Sequence, residues 1–139
     1  MNTELVLPRK LVNQILTHAQ LHEHTESCGM ISASAGTPAH YYAVKNIARD
    51  PSTHFEMEPK QQIAAMKHMR EHDEDMLAIV HSHPTSPPVP SAADMQESGY
   101  PDAYYIIVSL NTKGVLEMRG YKIADDNMQP VDLHYEHED

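Results

Sequence analysis

Residues 77–95 read LAIVHSHPTSPPVPSAADM, an apolar run that leads into two histidines, a proline-rich stretch and a Ser-x-x-Asp pair. The apolar run is typical of a strand that is buried on both faces. If this strand continues through His83, side chains two residues apart share a face, so His81 and His83 project together and Ser82 projects away from them. Pro84 cannot donate to a strand ladder, so the strand is expected to end there.

The rest of the chain alternates patterns that are typical of helices and strands. Helices are predicted for Pro8 to about His22, Pro59 to about His72 and Ser91 to about Glu97, and strands for residues 28–34, 40–48, 76–80, 103–110 and 115–123. On the second helix, Ile63, Met66 and Met69 form an apolar stripe, and the last two strands should form a hairpin around residues 111–114. These elements predict an α/β fold, a three-layer-like sandwich in which helices flank a mixed central β-sheet.

Length, composition and charge limit the kind of protein that this chain can be. Its 139 residues fit a single domain, 1–139, with residues from about 131 expected to form a loose acidic tail. No apolar run approaches the roughly 20 residues that span a bilayer, and the start MNTELVLPRK lacks a signal-peptide core, so a cytoplasmic protein is expected. The formal net charge of −10 argues against nucleic acid and membrane as partners, because both require a basic surface.

The histidines and the Ser-x-x-Asp pair allow two interpretations. A His-x-His pair alone is more often structural, and Ser91 and Asp94 fit a capping box at a helix start. Together, however, His81, His83 and Asp94 offer three N/O ligands and leave a fourth tetrahedral position open, as in catalytic zinc sites. Two histidines and a carboxylate also suit Fe(II). The single cysteine, Cys28, rules out an intrachain disulfide and a Cys-pair zinc site.

The whole pattern resembles the metal-binding signature of the JAMM (MPN-plus) zinc metalloproteases. It consists of His81-x-His83, seven residues, Ser91, two residues and Asp94. That family also has an upstream glutamate just before a Cys-Gly strand start, and Glu26 in TESCGMI matches that position. The resemblance extends from the first helix to YPDAYYIIVSL and implies the MPN/JAB fold, which is cytidine-deaminase-like.

The resemblance also implies a role for each residue of the motif. The zinc ion, one per chain, would be bound by His81, His83 and Asp94. Glu26 would take a proton from the attacking water and deliver a proton to the leaving amine. Ser91 would stabilise the oxyanion. Cys28 is expected to be a small buried side chain at a strand start.

Length and local sequence favour one subgroup of this family. Deubiquitinating members carry extra segments that grip two ubiquitins, and the predicted elements leave little room for them. RDPSTHFEMEP and YPDAYYIIVS resemble the bacterial stand-alone enzymes that act on ubiquitin-like sulfur-carrier proteins. The resemblance implies cleavage of the amide after a carrier's C-terminal Gly-Gly, either to release cysteine or to trim extra residues.

Three other functions are the alternatives. A non-catalytic MPN-type scaffold would bind partners through the same fold, but such scaffolds typically lack the ligands that are complete here. A deubiquitinase-like isopeptidase would act on another ubiquitin-like substrate. A zinc deaminase would bind its metal through a Pro-Cys-x-x-Cys pair, which a chain with a single cysteine cannot supply.

Overall fold

The computed structural model describes residues 4–111 and 117–136. In chain order the elements are β1 (Glu4–Pro8), α1 (Arg9–Leu21), β2 (Cys28–Ser34), β3 (Thr37–Val44), α2 (Pro59–Glu71), β4 (Asp75–His83), α3 (Ala92–Gln96), β5 (Tyr104–Ser109), β6 (Glu117–Ala124) and β7 (Asn127–Glu136). Within the described ranges, the strands form one sheet in the order β1-β7-β6-β5-β4-β2-β3. The pairs β1–β7 and β4–β5 are parallel and the other pairs are antiparallel. The predicted mixed central sheet with flanking helices is confirmed.

Two apolar clusters form on opposite faces of this sheet because side chains alternate along each strand. Ala78 and Val80 of β4 pack with Leu11 and Ile15 of α1 in one cluster. Ile79 packs in the other cluster, together with buried residues of α2. Continuing the alternation along β4 therefore places His81 and His83 on the α2 side.

The second helix buries a different stripe from the one predicted. Ala65 and Met69 are buried and Met66 is half-buried, whereas Ile63 is 66% exposed. Ile63 precedes Ala65 by two residues, so at about 100° per residue its side chain is turned far from the face that packs on the sheet. The expectation for Ile63 was wrong because only a narrow stripe of α2 reaches the core.

The expectation of a loose tail from about residue 131 was wrong for residues up to Glu136. Those residues belong to β7, which pairs with β6 on one side and with β1 on the other. Val131 is buried and Leu133 packs against the α1-side core, while the intervening Asp132 is exposed. This alternation lets an acidic strand bury one face while its backbone groups pair within the sheet. Residues 137–139 lie outside the described part of the chain.

Other boundaries differ from the predictions near loops and at one sheet edge. Strand β1 was not predicted, and β3 is shifted towards the N-terminus because Asn46 leaves the strand to pair with Met57 in an isolated bridge. Strands β5 and β6 pair as an antiparallel hairpin, although most of the predicted turn, within 112–116, lies outside the described residues. None of the helices in the described ranges is long and apolar enough to cross a membrane.

Candidate metal centre

The end of β4 presents two buried imidazoles to the α2 side of the sheet. His81 and His83 are 2% and 4% exposed, and their Nε2 atoms lie 3.2 Å apart. Ser82 faces the opposite way, where its Oγ accepts a hydrogen bond from the Ser27 backbone N–H at 2.8 Å. The predicted alternation at the end of this strand is therefore confirmed.

The start of α3 combines the two interpretations that the sequence allowed. Ser91 is the N-cap, with its Oγ accepting from the Asp94 N–H at 3.1 Å, and Asp94 Oδ2 accepts from the Ser91 N–H at 2.8 Å. The same Oδ2 lies 3.2 Å from His81 Nε2 and 3.1 Å from His83 Nε2. The capping box thus orients the Asp94 carboxylate towards the two histidines.

Glu26 completes this buried cluster from the segment before β2. Each of Glu26, His81, His83 and Asp94 offers a ligand atom, and all of these atoms lie within 4.8 Å of one another. Glu26 is 4% exposed, and its backbone N–H donates to the Pro51 carbonyl at 2.7 Å. Folding therefore brings together the four residues that the sequence placed in three separate segments.

The atoms that face one another in this cluster fit a bound cation. The Nδ1 of His83 donates to the Pro87 carbonyl at 2.8 Å, which leaves Nε2 as the atom that faces Asp94. The Nε2 atoms of His81 and His83 then converge with Oδ2 of Asp94. The lone pairs of these three atoms repel one another unless protons or a cation lie between them. In addition, Glu26 Oε1 and His81 Nδ1 are buried without a hydrogen-bond partner among the described residues. Two histidines and a carboxylate match an open N/O metal site.

Burial and mutual charge perturb the pKa values of all four groups. Burial raises the pKa of Glu26 to about 8, with His83 opposing the shift and Asp94 and Glu97 adding to it. Burial also lowers the pKa of His81. Burial opposes ionisation of His83 and Asp94 as well, but the hydrogen bond between them and their other polar contacts have the larger combined effect. The pKa of His83 is therefore raised, and the pKa of Asp94 lies well below its usual range.

Two residues that the sequence did not single out support the site. The Phe55 ring stacks on His81 with centroids 4.6 Å apart and planes inclined by 23°.

The Asn46 side chain donates to the carbonyls of Glu26 and His54, both at 2.9 Å. Its Oδ1 accepts from the N–H groups of Ala48 and Glu56 at 2.9 and 3.0 Å. The sequence pattern placed Asn46 within a strand over residues 40–48, and no local signal indicates this supporting role.

We predict that Asn46→Asp destabilises the protein by about 1–3 kcal/mol, because the carbonyls of Glu26 and His54 lose their donor and face a carboxylate oxygen instead. Urea unfolding measures the loss, and hydrogen exchange at the Glu26 amide reports whether it is local. Asn127→Asp is the matched control, since Asn127 is exposed and makes one 3.3 Å bond within a turn. Equal stability of the two variants would contradict a supporting role for Asn46.

Comparisons with known proteins agree with this geometry. The family model described as prokaryotic homologs of the JAB domain matches residues 8–121. A CysO-cysteine peptidase of Mycobacterium tuberculosis is 31% identical over 133 residues, 93% of this chain and 90% of that protein. A desampylase of Haloferax volcanii is 29% identical over 114 residues, 78% of this chain and 82% of that protein.

A solved structure shows the same fold over nearly the whole chain. The solution structure of a Desulfitobacterium hafniense protein superposes with a TM-score of 0.85 at 28% identity, covering 96% of this chain and 93% of that one. The family match spans all four residues of the buried cluster. This chain therefore belongs to the family of prokaryotic homologs of the JAB domain.

Proposed function

We propose that this chain is a zinc-dependent hydrolase that cleaves the amide bond after the C-terminal Gly-Gly of a ubiquitin-like sulfur-carrier protein, releasing cysteine or trimming extra residues. The family match and the similarity to named peptidases identify the chain as a JAMM-type metallopeptidase. The proposal adds the identity of the metal, the role of each residue, the substrate and a cytoplasmic location. The observation that carries it is the convergence of four buried ligand groups at one point.

In this proposal His81, His83 and Asp94 hold the zinc ion. When bound, zinc supplies a Lewis acid that acidifies a water molecule and polarises a carbonyl group. The protein contributes the orientation of the ligands: the Pro87 carbonyl holds His83, Phe55 packs on His81, and the capping box holds Asp94. Three protein ligands leave room for water and substrate, as hydrolysis requires.

Glu26 moves the proton during hydrolysis. Its Oε1 has no hydrogen-bond partner among the described residues, and a cation bound beside it would lower the raised pKa of this carboxyl, so that Oε1 could accept a proton from the attacking water. The water oxygen forms a bond to the carbonyl carbon, the C–N bond breaks, and Glu26 delivers the proton to the leaving nitrogen. The bonds from its backbone to Pro51 and Asn46 keep the carboxylate in place.

Ser91 stabilises the oxyanion that forms on the carbonyl oxygen. Its Oγ accepts the hydrogen bond from the Asp94 N–H, so the hydroxyl hydrogen remains available for donation. The residue is half-buried, which leaves it accessible to substrate at the edge of the cluster. A well-placed donor of this kind is typically worth ~3 kcal/mol.

The names of the relatives and the shape of the sheet support a carrier-protein tail as substrate. The mycobacterial relative is named for CysO-cysteine and the archaeal relative is a desampylase. A Gly-Gly tail has no side chains, so it can enter a narrow cleft and pair with a sheet edge as an added strand. Strand β3 lies at an edge of the sheet, next to the strand that follows Glu26.

Mass spectrometry of an extended carrier tests the proposal. Zinc-loaded protein is incubated with CysO that carries one cysteine after its Gly-Gly, and with a Gly-Gly carrier joined to a lysine side chain. We expect the first substrate to lose one cysteine. Cleavage of the second substrate alone would favour an isopeptidase instead. If the protein retains no zinc after incubation with the metal and cleaves neither substrate, the result favours a scaffold.

A further inference from the structure

An open cavity of about 730 Å³ is lined in part by Phe55, the residue whose ring stacks on His81 of the metal centre. Its walls include Ile47, Arg49, Asp50, Phe55, Glu56 and Glu97. Phe55 connects this cavity to the proposed zinc site, because the same ring stacks on His81. A substrate group that leaves the metal centre past Phe55 therefore enters a pocket of defined charge.

Arg49 is the unusual member of this pocket. Its other ionisable walls are mainly acidic, namely Asp50, Glu56 and Glu97. Arg49 itself is exposed, and within residues 4–111 and 117–136 its guanidinium makes no hydrogen bond or ion pair. In a chain of net charge −10, this cation is available to a ligand rather than used by the fold.

We infer that Arg49 binds the free α-carboxylate of a single amino acid on the leaving side of the scissile bond, and so makes the enzyme selective for carriers extended by one residue. The inference rests on the proposed function. In such a substrate the α-carboxylate is separated from the scissile nitrogen by one carbon, so it enters the pocket that Phe55 lines. A guanidinium pairs with a carboxylate through two parallel hydrogen bonds.

The acidic walls add selectivity to this contact. Asp50, Glu56 and Glu97 repel a carboxylate at any other position in the pocket, so the negative group is held at Arg49. An isopeptide offers no such group, because its leaving nitrogen belongs to a lysine side chain and no carboxylate follows it. The two substrate types are therefore distinguished by one ion pair.

Lys45 is the competing cation. It lines a separate cavity of about 330 Å³ that also includes Glu26. Lys45 is exposed, and its backbone N–H donates to Gln61 Oε1 at 2.7 Å. Because Lys45 and Arg49 line different cavities, replacing each of them in turn identifies the one that receives the leaving residue.

The test compares two forms of one substrate, CysO ending in Gly-Gly-Cys as the free acid and as the C-terminal carboxamide. Wild-type protein should cleave the acid with a kcat/KM at least ~10-fold above that for the amide. Arg49→Gln should remove this preference by raising KM for the acid while leaving the amide unchanged, and Arg49→Lys should restore part of it. Lys45→Gln should keep the preference.

The outcomes separate this inference from the function on which it rests. If wild-type protein cleaves acid and amide equally, or if Lys45→Gln rather than Arg49→Gln removes the preference, the hydrolase stands and the role of Arg49 is refuted. If zinc-loaded wild-type protein cleaves neither form, the proposed function fails and this inference fails with it. Because Arg49 is exposed, its substitution should leave the unfolding temperature unchanged, which circular dichroism verifies.

Discussion

Replacing Glu26 by glutamine is expected to reduce kcat for carrier hydrolysis by about 10²- to 10⁴-fold while zinc remains bound, because loss of a general acid–base group has an effect of that size. The amide has the shape of the carboxyl group but cannot carry the proton from water to the leaving nitrogen. The backbone bonds to Pro51 and Asn46 do not involve the substituted atoms, so the segment keeps its position.

Metal content and kinetics measured on the same sample separate catalysis from metal binding. Inductively coupled plasma mass spectrometry should find equal zinc in wild-type and Glu26→Gln protein. Glu23→Gln is the matched control, since Glu23 is an exposed carboxylate of the same segment that lies 3.4 Å from His24. A variant at Glu26 that turned over normally, or one at Glu23 that did not, would show that the proton is carried elsewhere.

Replacing Asp94 by asparagine is expected to weaken zinc binding by at least ~100-fold and to abolish hydrolysis with it. This is the anionic group that lies within 3.2 Å of both histidine Nε2 atoms, and a neutral amide oxygen is a poorer ligand. Loss of outer-shell support alone costs 10- to 100-fold in metal affinity, so ~100-fold is a lower bound for a ligand. The amide oxygen can still accept from the Ser91 N–H, which preserves the helix start.

Competition with a chromogenic chelator measures this affinity, and thermal unfolding without metal measures the structural cost. Asp102→Asn serves as the control, because Asp102 is exposed and its backbone carbonyl, rather than its carboxylate, accepts a bond from Lys122 at 2.7 Å. Asp94→Asn protein that bound zinc normally but unfolded at a lower temperature would indicate that the carboxylate only caps α3.

Local patterns predicted the parts of this site that depend on a single element. The period of a strand placed His81 and His83 on one face, and the Ser-x-x-Asp spacing predicted the capping box of α3. Both features arise from backbone geometry over a few residues. For Glu26 the sequence offered only its resemblance to a family motif, since an isolated glutamate before a strand is ordinarily solvated.

Long-range pairing decided features that no local pattern contains. Asn46 supports Glu26 because the chain after β3 returns to the segment before β2 and places the Asn46 amide on the Glu26 carbonyl. Ile63 is exposed because only one stripe of α2 faces the sheet. The acidic residues after Val131 form a strand because β1 pairs with residues 132–136, while β6 pairs with residues 127–131 of the same strand.

The sequence by itself thus determined the α/β class and the orientation of two histidines and one helix start, since these follow from local periodicity and capping. Only the tertiary structure brought the Glu26 carboxylate, the two imidazoles and Asp94 within 4.8 Å of one another. The physical reason is that their convergence requires β2, β4 and α3 to pack together, and that packing depends on contacts between residues far apart in the chain.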